Sequence, residues 1–323
     1  MNKDSKILIT GGQGFIGMKL GAFLSEAGFS NVYSMAGTRQ GLDLGDDAML
    51  GWSFDIDPDV VVHLATRLPT KENCLEYPAG MMYENLFVTC KVIEEARLSG
   101  CQKFISIWDS SCYPEREILP YKESDLWDGP PYWSQRYYGN SARVLMELNM
   151  AFSTQFDDFT AINLIFPEVY GPGSGFNPRK NKVIESIISN VRAAQEGDIA
   201  LKVQGSKKSS RDFLYIDDAI SAIYSAIAFS SKSNTYNISE GVDYRIKNLH
   251  EMISELANCE KEMIWEETQQ DIKQRSCLNI ALAKKELGWE PKTSIKEGLT
   301  KTLEWHDSNL VAKYVSPDSI LSR

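Results

Sequence analysis

Lys6-Ile7-Leu8-Ile9-Thr10-Gly11-Gly12-Gln13-Gly14-Phe15-Ile16-Gly17 decides the fold. An apolar run of strand type ends among glycines, and an apolar helical pattern starts at once. Gly12, Gly14 and Gly17 keep the spacing G-x-G-x-x-G, and Gly11 adds a G-x-x-G-x-x-G overlay. One glycine permits the tight turn, one lets backbone approach a pyrophosphate, and one lets the helix pack close to the strand. The unpaired amides and the dipole of a helix opening at Phe15 favour phosphate charge. Gly11, Gly14, Phe15, Ile16 and Gly17 are therefore the first candidate cofactor-binding residues.

Outward from this turn, strand and helix patterns alternate. Phe15 to Ala27 reads as a helix, with Phe15, Leu20, Phe23 and Leu24 on its apolar side, and Val32 to Met35 as a strand. Asp59 to Ala65 is a continuous apolar run, as expected of a strand buried on both faces. Tyr83 to Ser99 and Tyr138 to Phe156 predict helices; Lys103 to Trp108 and Thr160 to Phe166 predict strands. This alternation predicts an α/β fold on a doubly wound parallel sheet. Pro114 to Gln135, rich in proline, tryptophan and charge, reads as a long surface loop of the kind that usually serves function. Beyond Pro167, helices over 183–195, 217–228, 246–259, 281–287 and 294–306 and short strands over 201–204, 212–216 and 236–238 predict a smaller α/β C-terminal substrate lid. Ser294 and Glu297 fit a capping box. The expected division is 1–166 with 213–238 for the dinucleotide-binding domain, and 167–212 with 239–323 for the substrate-binding domain.

Composition narrows the function. The 323 residues carry 34 basic and 44 acidic side chains, a net charge of -10, which argues against a nucleic-acid surface. No apolar run is long enough to span a bilayer. Met1 to Lys6 is polar and runs straight into the first strand, so neither a signal segment nor a membrane is expected, and a cytoplasmic location is. The six cysteines form no C-x-x-C pair, and with three histidines no metal site is expected. Reduced thiols are the expectation.

Taken together, the landmarks resemble the extended short-chain dehydrogenase/reductase family. Thr10 to Gly17 matches its nucleotide fingerprint, Asp59 to Ala65 its D-V-V-x-H-L-A strand, and Glu84-Asn85-Leu86 with Thr89 its helical asparagine motif. Pro167 to Gly173 matches its Y-G-P-G turn, Arg211 to Asp218 its R-D-F segment, and Gly288-Trp289-Glu290-Pro291 its late G-W-x-P. Within the family the chain is most similar in look to the GDP-fucose synthases, through Ser110 to Pro114, Leu42-Asp43-Leu44, and Gly175 to Pro178 leading into Lys182. The resemblance implies an NADP(H)-dependent epimerase/reductase for a nucleotide sugar, with GDP as base and a 4-keto-6-deoxy or related sugar. It also implies a homodimer pairing the helices of Tyr83–Ser99 and Tyr138–Phe156.

The chain departs from that pattern where the chemistry lies. The family uses Ser/Thr, Tyr and Lys, the last two as Y-x-x-x-K on one helix face. The ammonium lowers the phenol's pKa from roughly 10, and the phenol then passes a proton as hydride moves. Tyr138-Gly139-Asn140-Ser141 fits, but Ala142 stands in the lysine's place. Arg143 lies about 100° further round the helix. Four residues before Tyr113 stands Asp109 where Ser or Thr is expected, with Ser110 and Ser111 beside it. The synthases' epimerising Cys and His fall at Ser111 and Lys182, or at Cys112 if the register slips. The candidate catalytic set is thus Tyr138, Asp109, Ser110, Ser111, Cys112 and Lys182. Three readings follow: an enzyme with rewired proton transfer, a non-catalytic relative that binds nucleotide or nucleotide sugar as a sensor or scaffold, or a Lys→Ala knock-out, which leaves Asp109 unexplained.

No acid precedes Arg39 after the second strand, which favours NADP over NAD, with Arg39 on the 2′-phosphate. By resemblance Asp43 and Leu44 flank the adenine, Leu64, Ala65 and Thr66 line the cofactor's middle, and Pro167 lies near the nicotinamide. The Arg211 fork suits a diphosphate. Asn177, Arg179 and Lys182 add donors, Val203 falls where the family lines the base pocket, and Trp108, Trp127 and Trp133 are candidates for ring stacking.

Overall fold

A computed structural model of the chain describes residues 2–35, 44–115, 118–176, 182–197, 199–204, 209–228, 234–266 and 275–314. Their elements run β1 (Lys6–Thr10), α1 (Phe15–Glu26), β2 (Asn31–Ser34), α2 (Asp47–Phe54), β3 (Val60–His63), α3 (Lys71–Leu75), α4 (Pro78–Leu98), β4 (Lys103–Asp109), α5 (Arg136–Gln155), β5 (Thr160–Phe166) and β6 (Glu168–Tyr170). There follow α6 (Val183–Glu196), β7 (Leu201–Gln204), β8 (Ser210–Arg211), β9 (Phe213–Tyr215), α7 (Ile216–Ala228), β10 (Asn234–Asn237), β11 (Tyr244–Arg245), α8 (Ile246–Leu256), β12 (Met263–Glu266), α9 (Ala281–Glu286) and α10 (Ile295–Tyr314).

Six strands form one parallel sheet in the order β10-β5-β4-β3-β1-β2. Both faces are covered. Ile7 and Ile9 of β1 and Val60 and Val62 of β3 join Leu20 and Leu24 of α1 and Ile223 of α7 in one core. Leu8 and Val61 point the other way, into a second core with Phe54, Val92, Ile93 and Phe104. The period-2 alternation of a strand, buried on both sides, is why β3 reads as an unbroken apolar run. The predicted doubly wound α/β class is the observed one. The chain order runs outward from β1 to β2 and then crosses back to β3. The strand order therefore reverses between β1 and β3, and a crevice opens beyond their carboxyl ends.

A buried polar network locks the register of the other half. Asn163 Oδ1 accepts from Ser106 Oγ (2.9 Å) and Asn149 Nδ2 (2.8 Å), and Asn163 Nδ2 donates to Thr235 Oγ1 (3.1 Å). Trp108 Nε1 donates to Ser106 Oγ at 2.8 Å. Trp108 is thus a sealed core residue, which corrects its place among the ring-stacking candidates.

Smaller pairs build the C-terminal part: β6 with β9, β7 with β12, and β8 with β11. The first core runs on from the sheet to Trp289, Leu299 and Leu303. Several short elements, α2, α3, β6, β11 and β12, carry too few residues to show a period, and the sequence reading passes over them. α4 begins at Pro78 rather than Tyr83, because proline suits the first helical position. Ser294 caps α10 through its hydroxyl to the Glu297 amide. The stretch 114–135 is only partly a surface loop. The Tyr113 and Tyr121 rings stack at 4.8 Å, both fully buried. Asn237 then ties them together, accepting from Tyr113 Oη and donating to the Tyr121 carbonyl.

Asn163→Ala would leave the Ser106 hydroxyl proton buried without its acceptor and the Asn149 amide with Ser106 Oγ alone. We expect about 3 kcal/mol of lost stability in urea unfolding; a loss under about 0.5 kcal/mol would show that the network does not hold the register.

Candidate active site

The crevice is shaped by close backbone approach. Gly11 takes φ +68°, and a Cβ there would meet the Leu64 carbonyl carbon and the Ala65 amide at 3.0 Å. A Cβ on Gly17 would meet the Gly11 carbonyl oxygen at 2.5 Å. Among the described residues no side chain caps α1, whose N-cap Gly14 is exposed, so its opening amides are available to an anion. Phe15, Ile16, Leu64, Ala65 and Thr66 line this edge half-buried, while Leu44 and Pro167 are buried. Arg39, Asp43, Asn177 and Arg179 lie outside the described residues. This cradle fits a dinucleotide pyrophosphate.

Beneath it lies an unanticipated device. Thr10 Oγ1 accepts from the Leu64 and Ala65 amides (3.3 and 3.4 Å), so its proton goes to His63 Nδ1 at 2.8 Å. His63 Nε2 is then the protonated nitrogen and donates to Thr89 Oγ1 at 3.1 Å. Burial pushes the His63 pKa down to about 4, so the ring is neutral. Next along α4, Asn85 clamps both backbone groups of Arg67, at 2.7 and 3.0 Å. Here the family's asparagine motif acts as a loop anchor.

The expected catalytic residues meet at the carboxyl end of β4, but not as the motif implies. Asp109 ends the strand half-buried and caps the next turn, accepting from the Ser111 amide at 2.8 Å. Ser110 is half-buried, whereas Ser111 and Cys112 are buried. Tyr138 is fully buried, and its Oη accepts from the Asp109 amide at 3.1 Å. Burial and then the Asp109 charge push its phenol well above the ordinary range, opposite in direction to the acidified tyrosine that the motif implies. Ala142 explains why. It is fully buried with Tyr138, Cys74, Met81 and Leu145, and α3 packs on α5 at this place. The lysine position of the motif is thus a methyl group inside an apolar plug. Arg143 does not substitute: its Nε donates to the Cys112 carbonyl (2.7 Å) and its Nη1 to the Gly129 carbonyl (2.8 Å).

On the far side of the crevice stands a charge cluster. Lys182, the N-cap of α6, donates to the Val169 carbonyl (3.0 Å) and to Ser174 Oγ (3.2 Å), and its Nζ lies 4.9 Å from the Phe15 ring centroid. Glu185 Oε1 is 3.6 Å from that ammonium and also accepts from Ser174 Oγ. Glu168 Oε1 accepts from the Val183 amide at 2.7 Å. Arg211 neighbours Glu168 and donates to the Ser210 carbonyl. Glu168 and Glu185 escaped the sequence reading; a carboxylate inside the Y-G-P-G turn and another in an apolar helix face were the available signals. Val203, expected at a base pocket, is instead 2% exposed in the core. It pairs with Trp265 on β12, an element the sequence reading lacked.

Comparison with known proteins places this geometry. The sequence profile of the NAD dependent epimerase/dehydratase family matches residues 7–239. The chain belongs to that family. GDP-L-fucose synthase 1 of Arabidopsis thaliana is 27% identical over 311 residues, 96% of this chain and 95% of that protein. The GDP-L-fucose synthase of Sinorhizobium fredii is 25% identical over 307 residues, covering 94% and 96%. A GDP-mannoheptose C4 reductase from Campylobacter jejuni, solved with NADP bound, superposes with a TM-score of 0.84 at 23% identity, over 95% of this chain and 99% of that one.

The neutral His63 sets an acid limit. Its folded pKa is below the ordinary 6.5, so as pH falls from 6.5 towards 4 the unfolded chain takes up a proton that the folded chain refuses. Up to about 3 kcal/mol of stability is lost across that window. His63→Asn should flatten this part of the stability–pH curve; an unchanged slope in urea titrations would refute the assignment.

Proposed function

We propose that this family member is an NADP(H)-dependent nucleotide-sugar epimerase/reductase. Its substrate is a 4-keto-6-deoxy or related sugar carried on a nucleoside diphosphate, with GDP as the favoured base. The observation that carries the reading is the uncapped Gly11–Gly17 turn at the sheet's switch point, where added Cβ atoms would strike backbone. The names of the relatives, GDP-L-fucose synthases and an NADP-bound GDP-mannoheptose reductase, support the cofactor and the substrate class. The nicotinamide, when bound, supplies or accepts hydride. Gly11, Gly14, Phe15, Ile16 and Gly17 hold the pyrophosphate, Arg39 the 2′-phosphate, Asp43 and Leu44 the adenine, and Leu64, Ala65, Thr66 and Pro167 the remainder. Segments 167–212 and 239–323 hold the sugar nucleotide, with Arg211, Lys182 and Asn177 at its diphosphate. Asp109 and Ser110 face the reacting sugar, while buried Tyr138, Ser111 and Cys112 shape the strand end behind them.

Fluorescence titration should show NADPH binding at least about tenfold tighter than NADH, and Arg39→Ala should bring the two near parity. Supplied with GDP-4-keto-6-deoxymannose, the protein should oxidise NADPH. One observation favours a second reading, a binder without turnover: Tyr138 is sealed under the Ala142 plug. That reading prevails if NADPH binds but no keto-sugar is reduced and no sugar proton exchanges in heavy water.

The same proposal includes a cytoplasmic homodimer. Among the described residues no helix is long and apolar enough to cross a membrane. The outer faces of α4 and α5 expose Tyr83, Phe87 and Val144, and a groove runs between α2 and α4 past Leu50, Leu86 and Cys90. Pairing α4 and α5 of two copies as a four-helix bundle would cover Tyr83, Phe87 and Val144. Phe87→Glu with Val144→Glu should halve the mass measured by sedimentation equilibrium; a wild-type protein already monomeric at micromolar concentration would remove the dimer.

A further inference from the structure

We propose that Glu168 is the proton donor to the substrate's carbonyl oxygen, in place of the tyrosine that is sealed here as Tyr138. The inference rests on the reductase reading and names the acid that reading lacks.

Three observations put Glu168 on the wall of the crevice, just past the end of β5. Asp109 is in register with Phe166 at the carboxyl ends of β4 and β5, and Glu168 follows that partner by two residues, just past Pro167. Its neighbour Lys182 lies over Phe15 of the dinucleotide turn, and Gly173 of the intervening loop approaches Phe15 and Lys19. Glu168 is half-buried, with Oε1 committed to the Val183 amide. The pinned oxygen fixes the orientation of the carboxyl group, and its second oxygen is the one that carries a proton.

The surroundings keep that proton in place. Burial and then the Glu185 carboxylate push the Glu168 pKa up to about 8, against the opposing pull of Lys182, the Val183 amide and Arg211. Glu185 is itself 3% exposed, with no hydrogen-bond partner for Oε2 among the described residues. β9 and α7 also pack on β6. β9 sets Phe213 beside Glu168. The α7 acids Asp217 and Asp218 lie by Tyr215, and Asp218 is bound to the Lys292 and Thr293 amides. Burial and the neighbouring carboxylate thus raise the proton affinity at Glu168.

The step balances. A reduced nicotinamide, when bound, would supply the hydride that forms a C–H bond at the carbonyl carbon, the carbon being reduced and the nicotinamide oxidised. The C=O π pair moves to oxygen, and that oxygen takes the Glu168 proton. An alcohol and the Glu168 carboxylate remain. The adjacent ammonium of Lys182 stabilises that carboxylate until solvent restores the proton.

The test needs no cofactor for its first arm. Wild-type minus Glu168→Gln infrared difference spectra at pH 7 should show a protonated-carboxyl band that fades as pH rises through about 8, the contribution of Asp212, raised to about 7 by burial, being common to both proteins and cancelling. With NADPH and GDP-4-keto-6-deoxymannose, Glu168→Gln should lower kcat about 100-fold or more while NADPH affinity is kept. Glu185→Gln removes the repulsion and should move the alkaline limb of kcat to lower pH. Wild type without the infrared band, Glu168→Gln within about threefold of wild-type kcat, or an unmoved limb in Glu185→Gln would each overturn the proposal while wild-type turnover left the enzyme reading intact. Wild type that never oxidises NADPH would instead overturn the enzyme reading, and this assignment with it.

Discussion

The hydrogen-bonded chain Thr10–His63–Thr89 is the constraint on which the rest of the structure depends. It joins the carboxyl ends of β1 and β3 and fastens both to α4. Those two strand ends are the walls of the switch-point crevice. Their separation is so small that Gly11 admits no side chain against Leu64 and Ala65. A neutral imidazole suits the task because it offers one donor and one acceptor at opposite corners of a rigid ring. Protonation would turn the acceptor into a second donor facing the Thr10 hydroxyl proton, so the same bond that shapes the crevice also excludes the charged ring.

From this wall the site develops asymmetrically. On α5, the lysine position of the motif is the methyl group of Ala142, in one apolar cluster with Cys74 of α3. A charge introduced there would carry a steep desolvation cost. With no cation at hand, the Tyr138 phenol stays neutral far into the alkaline range and serves as an acceptor for the Asp109 amide. Across the crevice, Glu168, Lys182, Glu185 and Arg211 gather around the α6 N-terminus, where opposite charges and backbone donors compensate one another.

Much of this was legible from the residues alone. The glycine spacing after an apolar run, the strand-type stretch 59–65 and the β–α alternation sufficed for the sheet and for the position of the nucleotide turn. Each depends on a local rule: where a Cβ is forbidden, which faces are buried, how often the pattern repeats. Ala142 could also be read as a missing cation, since i and i+4 share a helix face whatever surrounds them.

The tertiary structure alone decided what those residues do. That Tyr138 and Trp108 are sealed, that Val203 is core, and that Arg143 turns away to the Cys112 and Gly129 carbonyls are facts about neighbours distant in the chain. Glu168 and Glu185 each left a signal in the sequence, but their pairing did not, because a carboxyl's proton affinity is set by burial and by charges that folding brings near. The sequence by itself determined the backbone path and the place of the cofactor turn, which follow from steric and periodic rules along the chain. Only the three-dimensional packing decided which groups keep a proton, because electrostatics in a protein depends on distance through space.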